Sequence, residues 1–145
     1  VYEGDPFNGD SRNLLQVKVP KGESPLDGYR VVEFEYDAYD NVTLVRDGLG
    51  NEVETSYDLL DRPLVVTDAL GESTTMTYNE TLLDEILLPP NNGSAGLART
   101  ISMLYDDSNR LEEVRRDIDS IGTQQMRVKY GYSAFSQVKT LTRLK

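Results

Sequence analysis

The chain is 145 residues long, carries 15 Lys and Arg against 25 Asp and Glu for a formal charge of −10, and contains neither histidine nor cysteine. Lacking histidine it has neither the commonest general base nor the commonest transition-metal ligand; lacking cysteine it has no disulfide, thiolate nucleophile or Cys-based zinc site. The acidic balance argues against nucleic acid and anionic membrane surfaces, which are bound by cationic side chains, and no apolar run approaches the ~18 residues of a membrane-spanning helix.

Val1 to Tyr29 is rich in turn formers: Gly4-Asp5-Pro6, Asn8-Gly9-Asp10, Pro20-Lys21-Gly22 and Ser24-Pro25-Leu26-Asp27-Gly28. Between them Leu14 to Val19 alternates well enough for one strand. Phe7-Asn8 through Val19 reads as a degenerate first repeat, and Pro20 to Gly28 as a loop, because prolines and glycines at that density do not fit a ladder. The chain opens on Val1 rather than Met and runs at once into a tyrosine phrase, which reads as a piece cut from a longer polypeptide.

Val32-Glu33-Phe34-Glu35-Tyr36 alternates apolar and acidic, the pattern of a half-buried strand. A turn over Asp37 to Asn41, a strand over Val42 to Arg46 and a turn over Asp47 to Asn51 follow. The next twenty-one residues repeat this: Val53, Thr55 and Tyr57 on one face, a turn at Asp58 to Arg62, a strand at Leu64 to Thr67 and a turn at Asp68 to Gly71. Between Val32–Glu52 and Val53–Ser73, nine of twenty-one positions are identical, including Tyr36/Tyr57, Asp37/Asp58, Asp47/Asp68 and Gly50/Gly71.

A third copy spans Ser73 to Tyr78, with Leu82 to Leu88 as its return strand and Pro89 to Gly96 as an enlarged loop. A fourth begins near Arg99, with Tyr105-Asp106 closing its first strand and Leu111 to Arg116 returning. A fifth, partial copy runs from Gln125 to Tyr130 or Tyr132, then Phe135 to Leu144. Internal repetition at a fixed period is the signature of a modular array, here of two-stranded units in series. The expected fold is therefore all-β: a curved antiparallel meander of about ten short strands, forming one array over residues 1–145.

Each recurring residue has a physical duty. The tyrosine ends a strand on the apolar face, where its hydroxyl can reach water or a neighbouring turn. The aspartate behind it accepts backbone N–H groups two or three residues on. Four residues beyond each tyrosine stand Asp40, Asp61 and Asn109, which tolerate left-handed backbone. Nine beyond come Val45, Val66, Leu87 and Val114, the expected buried contact of the return strand.

Tyr36-Asp37 with Asp40-Asn41-Val42 and Asp47-Gly48-Leu49-Gly50, then Tyr57-Asp58 with Asp61-Arg62-Pro63 and Asp68-Ala69-Leu70-Gly71, resemble the YD repeats of the rearrangement-hotspot (Rhs) family, shared by toxin-complex shell proteins, bacterial wall-associated proteins and teneurins. The likeness covers Val32 to Tyr78 closely and Ile101 to Asp117 more loosely. It departs from the family where Asp40, Asp61 and Asn109 stand in place of the usual glycine. Leu82 at that place in the third copy is a larger departure.

The resemblance implies a fragment of a large β-shell or spiral sheet, secreted or on the cell surface, with neighbouring YD repeats of the parent chain and an enclosed toxin or effector polypeptide as partners. The structural signature is then Tyr36, Asp37, Asp47, Gly50, Tyr57, Asp58, Asp68, Gly71, Tyr78, Tyr105 and Asp106. No catalytic residue, cofactor or metal is assigned.

Sharper readings carry less. Among so many carboxylates the pairs Asp106-Asp107, Glu112-Glu113 and Asp117/Asp119 arise by chance, whereas a glycosidase needs two at a set separation beside a sugar cleft. Asp106-Asp107-Ser108-Asn109 lacks the frame of an EF-hand loop. The alternative function is an extracellular adhesion module that takes a glycan or protein through the loops at 20–28 and 89–96. Bare strand edges further imply edge-to-edge self-association.

Overall fold

The computed structural model describes residues 13–22, 28–90, 98–117 and 125–144. The opening turns, the middle of the 20–28 loop, most of the 89–96 loop and Asp119 lie outside the described residues.

The described residues are all-β and antiparallel, and within each compact unit the strands neighbour one another in chain order. By internal contact the chain divides into two compact units, Val1–Gly71 and Glu72–Lys145, a boundary two residues before the end of the second sequence repeat. The first unit holds β1 (Gln16–Pro20), β2 (Tyr29–Tyr36), β3 (Val42–Arg46), β4 (Glu52–Tyr57) and β5 (Pro63–Thr67). The second holds β6 (Ser73–Asn79), β7 (Leu82–Leu88), β8 (Arg99–Tyr105), β9 (Leu111–Asp117), β10 (Gln125–Tyr132) and β11 (Val138–Leu144). Eleven strands stand where about ten were expected.

Pro20 is the last residue of β1 and faces Tyr29 across the ladder rather than belonging to the loop. An edge strand tolerates the missing N–H.

Register places Phe34, Val45 and Val53 in one cross-strand row and Thr55 with Val66 in another, so the valines share a face with Tyr36 and Tyr57. The other face of this unit carries Glu33, Glu35, Arg46, Glu52 and Glu54. In the second unit Met76, Ile86 and Ile101 form one apolar row, and Met103, Val114 and Val128 another.

Each tyrosine sits at a β-bulge of the same kind. The ladder slips by one residue between Glu35 and Tyr36, Ser56 and Tyr57, Thr77 and Tyr78, Leu111 and Glu113, and Gly131 and Tyr132. The extra residues are Thr43, Leu64, Asp84, Glu112 and Lys139, each just inside a return strand. A bulge recurring at one place in every repeat is a built feature that raises local twist.

The third copy corrects the expected core. Four residues, rather than five, separate Tyr78 from its partner Leu83, and the turn closes through a further pair, Asn79 with Leu82. Glu80 takes the left-handed backbone in this short turn, at φ 52°. The missing residue shifts the return strand, so Ile86 and not Leu87 occupies the place of Val45, Val66 and Val114; Leu87 is 39% exposed on the opposite face.

No apolar residue among those described is fully buried. Val45, Val66 and Val114 are half-buried, because in one layer of sheet a side chain is covered by its lateral neighbours alone.

Candidate functional site

The recurring structure is a turn gripped by one carboxylate. In the first copy Asp37 Oδ1 accepts the N–H of Tyr39 at 2.8 Å and of Asn41 at 3.0 Å, while the Asp37 N–H donates to the Asn41 carbonyl at 3.0 Å. Asp58 holds Leu60 and Arg62 in the same way, at 2.8 and 3.1 Å, and Asp106 holds Ser108 and Arg110, at 2.9 and 3.0 Å. In the fifth copy Ser133 replaces the aspartate and its hydroxyl accepts the same two N–H groups at 3.3 Å.

Two residues before the return strand of these copies the chain bends left-handed: Asp40 at φ 68°, Asp61 at 59°, Asn109 at 58° and Ser136 at 58°. The expectation of left-handed backbone four residues after the tyrosine holds in these copies. At the opposite end of the strands Asp47 accepts from Leu49 and Asn51, and Asp68 from Leu70; there Gly50 and Gly71 supply the positive φ, at 87° and 78°. Gly48 does not; a Cβ there would lie 3.2 Å from the Val31 backbone, so close approach is its duty.

A side chain that sequence reasoning passed over completes the grip. Five residues after the tyrosine stand Asn41, Arg62 and Arg110, and each donates to the second oxygen of its own aspartate: Asn41 Nδ2 to Asp37 at 3.1 Å, Arg62 Nε to Asp58 at 2.7 Å, Arg110 Nε to Asp106 at 2.8 Å. The signal lay in the alignment of the copies, where this position is a side-chain donor in four of them, Asn41, Arg62, Arg110 and Gln137, and Leu83 in the third. The arginine bonds hold the carboxyls of Asp58 and Asp106 below the usual range, and the Asn51 amide does so for Asp47.

The tyrosine joins one repeat to the one before. Tyr57 donates its hydroxyl to the Val42 carbonyl at 2.9 Å, Tyr105 to Leu83 at 2.8 Å and Tyr132 to Leu111 at 2.7 Å. Each acceptor is the residue paired with the preceding tyrosine: Val42 with Tyr36, Leu83 with Tyr78, Leu111 with Tyr105. Tyr36 reaches Leu14 at 2.8 Å, which gives the segment before β1 the part of an earlier turn. Tyr78 occupies the same place at the end of β6. Of the two tyrosines open for the fifth copy, Tyr132 takes the role.

The turns are also linked side by side. Asn13 donates to Asp40 at 2.7 Å, Asn41 to Asp61 at 2.8 Å and Arg110 to Ser136 at 3.4 Å, with the Arg110 guanidinium 4.6 Å over the Tyr132 ring. The donor five residues after one tyrosine thus meets the left-handed residue of the next copy.

Two charged clusters lie outside this pattern: Arg46 joins Glu33 at 3.2 Å and Glu52 at 2.6 Å on the exposed face of the first unit, and the second is buried. Glu113, at 4% exposure, is the sole fully buried residue among those described. Arg127 donates to both its oxygens, Arg115 Nε to Oε1 at 2.9 Å, and Lys129 Nζ stands 3.5 Å from Oε2. The bonds from Arg127 and then Arg115 hold this carboxyl down at about 2. A carboxylate so tied is an ionic anchor; donating a proton near neutrality is outside its reach. Asp117 accepts from the Thr100 backbone N–H at 3.3 Å and from the Gln125 side-chain amide at 2.9 Å.

On the charged face of the first unit a shallow hollow of about 430 Å³ is lined by Glu35, Leu44, Glu54, Ser56, Val65 and Thr67, among others. No protein-family model matches the chain, and no curated protein matches it significantly.

Proposed function

We propose that the chain is a non-catalytic wall segment of a secreted or surface protein of the YD-repeat type, part of a β-shell enclosing a toxin or effector polypeptide. The observation that carries this reading is the bolt between repeats: a tyrosine hydroxyl on the carbonyl opposite the previous tyrosine, made in the same way by Tyr57, Tyr105 and Tyr132. A unit whose principal bonds run to its own kind can be extended without limit, which suits a wall.

The side chains that recur are spent on turns and on those bolts. Asp37, Asp58 and Asp106 have their oxygens filled by backbone N–H groups and by the donor four residues on, a structural duty that supports the non-catalytic reading.

The test is protease protection in the full parent polypeptide. If the wall encloses a cargo, the polypeptide behind the repeats resists protease until the wall is opened by acid or denaturant. Equal cleavage of that segment with and without the repeats would remove the proposal.

A further inference from the structure

We propose that the outer edge of β11 is a docking site for an extended, acidic strand of another polypeptide, one that carries a β-branched apolar residue four positions before a tyrosine. The pattern comes from the three tyrosine bolts. In each, the hydroxyl reaches a carbonyl on the preceding return strand, and the residue three beyond that carbonyl faces the residue four before the tyrosine. Tyr57 bonds Val42 while Val45 faces Val53; Tyr105 bonds Leu83 while Ile86 faces Ile101; Tyr132 bonds Leu111 while Val114 faces Val128. Three strands obey one rule, with valine or isoleucine at the facing position each time.

β11 is a return strand of the same kind. Val138 pairs with Tyr132 across the bulge that sets Val42 against Tyr36, so its carbonyl holds the acceptor position of the series. Leu141, three residues on, holds the place of Val45. Tyr130 flanks it on the inner side, and among the described residues no strand pairs with its outer side. The six residues that hold these two places in the three bolts are all half-buried, whereas Val138 is 59% and Leu141 65% exposed. Gln137 stands where Asn41 and Arg110 reach across to the following turn, and it too is exposed.

A strand added to this edge gains backbone hydrogen bonds, which give affinity whatever its sequence. Selectivity then rests on side chains. A branched residue opposite Leu141 covers apolar surface, as cross-strand pairs do. The tyrosine hydroxyl on the Val138 carbonyl adds about fivefold in affinity, the worth of one neutral hydrogen bond. β11 carries Lys139 and Arg143 and no carboxylate, which favours an acidic partner strand. The edge pairing expected from sequence is thereby narrowed to one edge and one kind of strand. The inference rests on the bolt between repeats and not on what the wall encloses.

The probe is a peptide of residues 51–62, Asn51 to Arg62, which holds Val53 and Tyr57 at the required spacing among acidic side chains. Titrated into the full chain and followed by the backbone amide resonances, it is expected to shift those of Val138 to Thr142 with half-saturation near about 1 mM or below. The same peptide with Tyr57→Phe is expected to bind about fivefold more weakly, and with Val53→Asp more weakly still. Leu141→Lys in the chain, on a strand exposed throughout, is expected to keep the parent circular dichroism and lose the binding. Peptide binding at β11 with this order upholds the proposal whatever the protease experiment finds. Shifts centred on another strand, equal affinity of the tyrosine and phenylalanine peptides, or no saturable shift by about 5 mM would overturn it. So would self-association of the chain that the peptide competes away, which would seat a second copy on the edge.

Discussion

Replacing Tyr57 with phenylalanine isolates the bond between one repeat and the turn before it. The ring stays, half-buried, and only the hydroxyl that donates to Val42 at 2.9 Å is lost. A neutral hydrogen bond of this kind is worth about 1 kcal/mol net. In a single layer of sheet, water reaches the Val42 carbonyl once the hydroxyl has gone, so the penalty of a buried orphan acceptor is not added. The expected loss is therefore about 1 kcal/mol, or about 3 °C in Tm for a chain of this length. Tyr105→Phe and Tyr132→Phe are expected to cost the same, since their bonds measure 2.8 and 2.7 Å.

Tyr39→Phe, at a turn tip and 69% exposed, serves as the control and is expected to cost nothing measurable. Urea unfolding followed by far-UV circular dichroism reads all four, with an unchanged m-value as the sign that the native fold persists. If Tyr57→Phe, Tyr105→Phe and Tyr132→Phe all lie within about 0.3 kcal/mol of the parent, like the control, the hydroxyls do not bolt the repeats and the reasoning fails.

The shifted third copy predicts that Ile86→Ala costs about 1–2 kcal/mol, half the range for a fully buried residue, while Leu87→Ala costs under about 0.5; urea midpoints decide, and the reverse order would restore the unshifted register. Glu113→Gln leaves Arg115, Arg127 and Lys129 crowded without their anion and is expected to cost about 2 kcal/mol by urea unfolding at pH 7, with no loss refuting the anchor role. Because the Glu113 carboxyl lies at about 2 in the folded protein and near 4.5 when unfolded, its contribution is whole above about pH 4.5 and drains away as pH falls toward 2. The gap between parent and E113Q should therefore narrow over that window. Gly50→Ala, at φ 87° with open space around the Cβ, is expected to lose about 1–2 kcal/mol through backbone strain alone, and an unchanged Tm would show that the turn relaxes.

The architecture was legible because its information is periodic. Tyr36, Tyr57, Tyr78 and Tyr105 fall at one place in the hairpin, and the aspartates behind three of them grip turns in the way their chemistry suggests. What could not be read depended on register between strands. Leu87 was expected in the apolar row because counting from Tyr78 assumes a turn of constant length; one missing residue sends every later side chain to the other face. Glu113 and Arg115 lie on β9 and Arg127 and Lys129 on β10, and nothing in their spacing says that they converge. The depth of burial was equally silent, since alternation in Val32 to Tyr36 marks a covered face without saying how fully it is covered.

The most direct test of the central claim is a set of nuclear Overhauser contacts from the tyrosine rings. The repeat-to-repeat bolt places the ring of Tyr57 against the backbone at Val42, that of Tyr105 against Leu83 and that of Tyr132 against Leu111. Cross-peaks between the ring protons and the Hα protons of those three residues, or of the residues next to them, are the predicted result. Tyrosine rings that show contacts only within their own turns would contradict it.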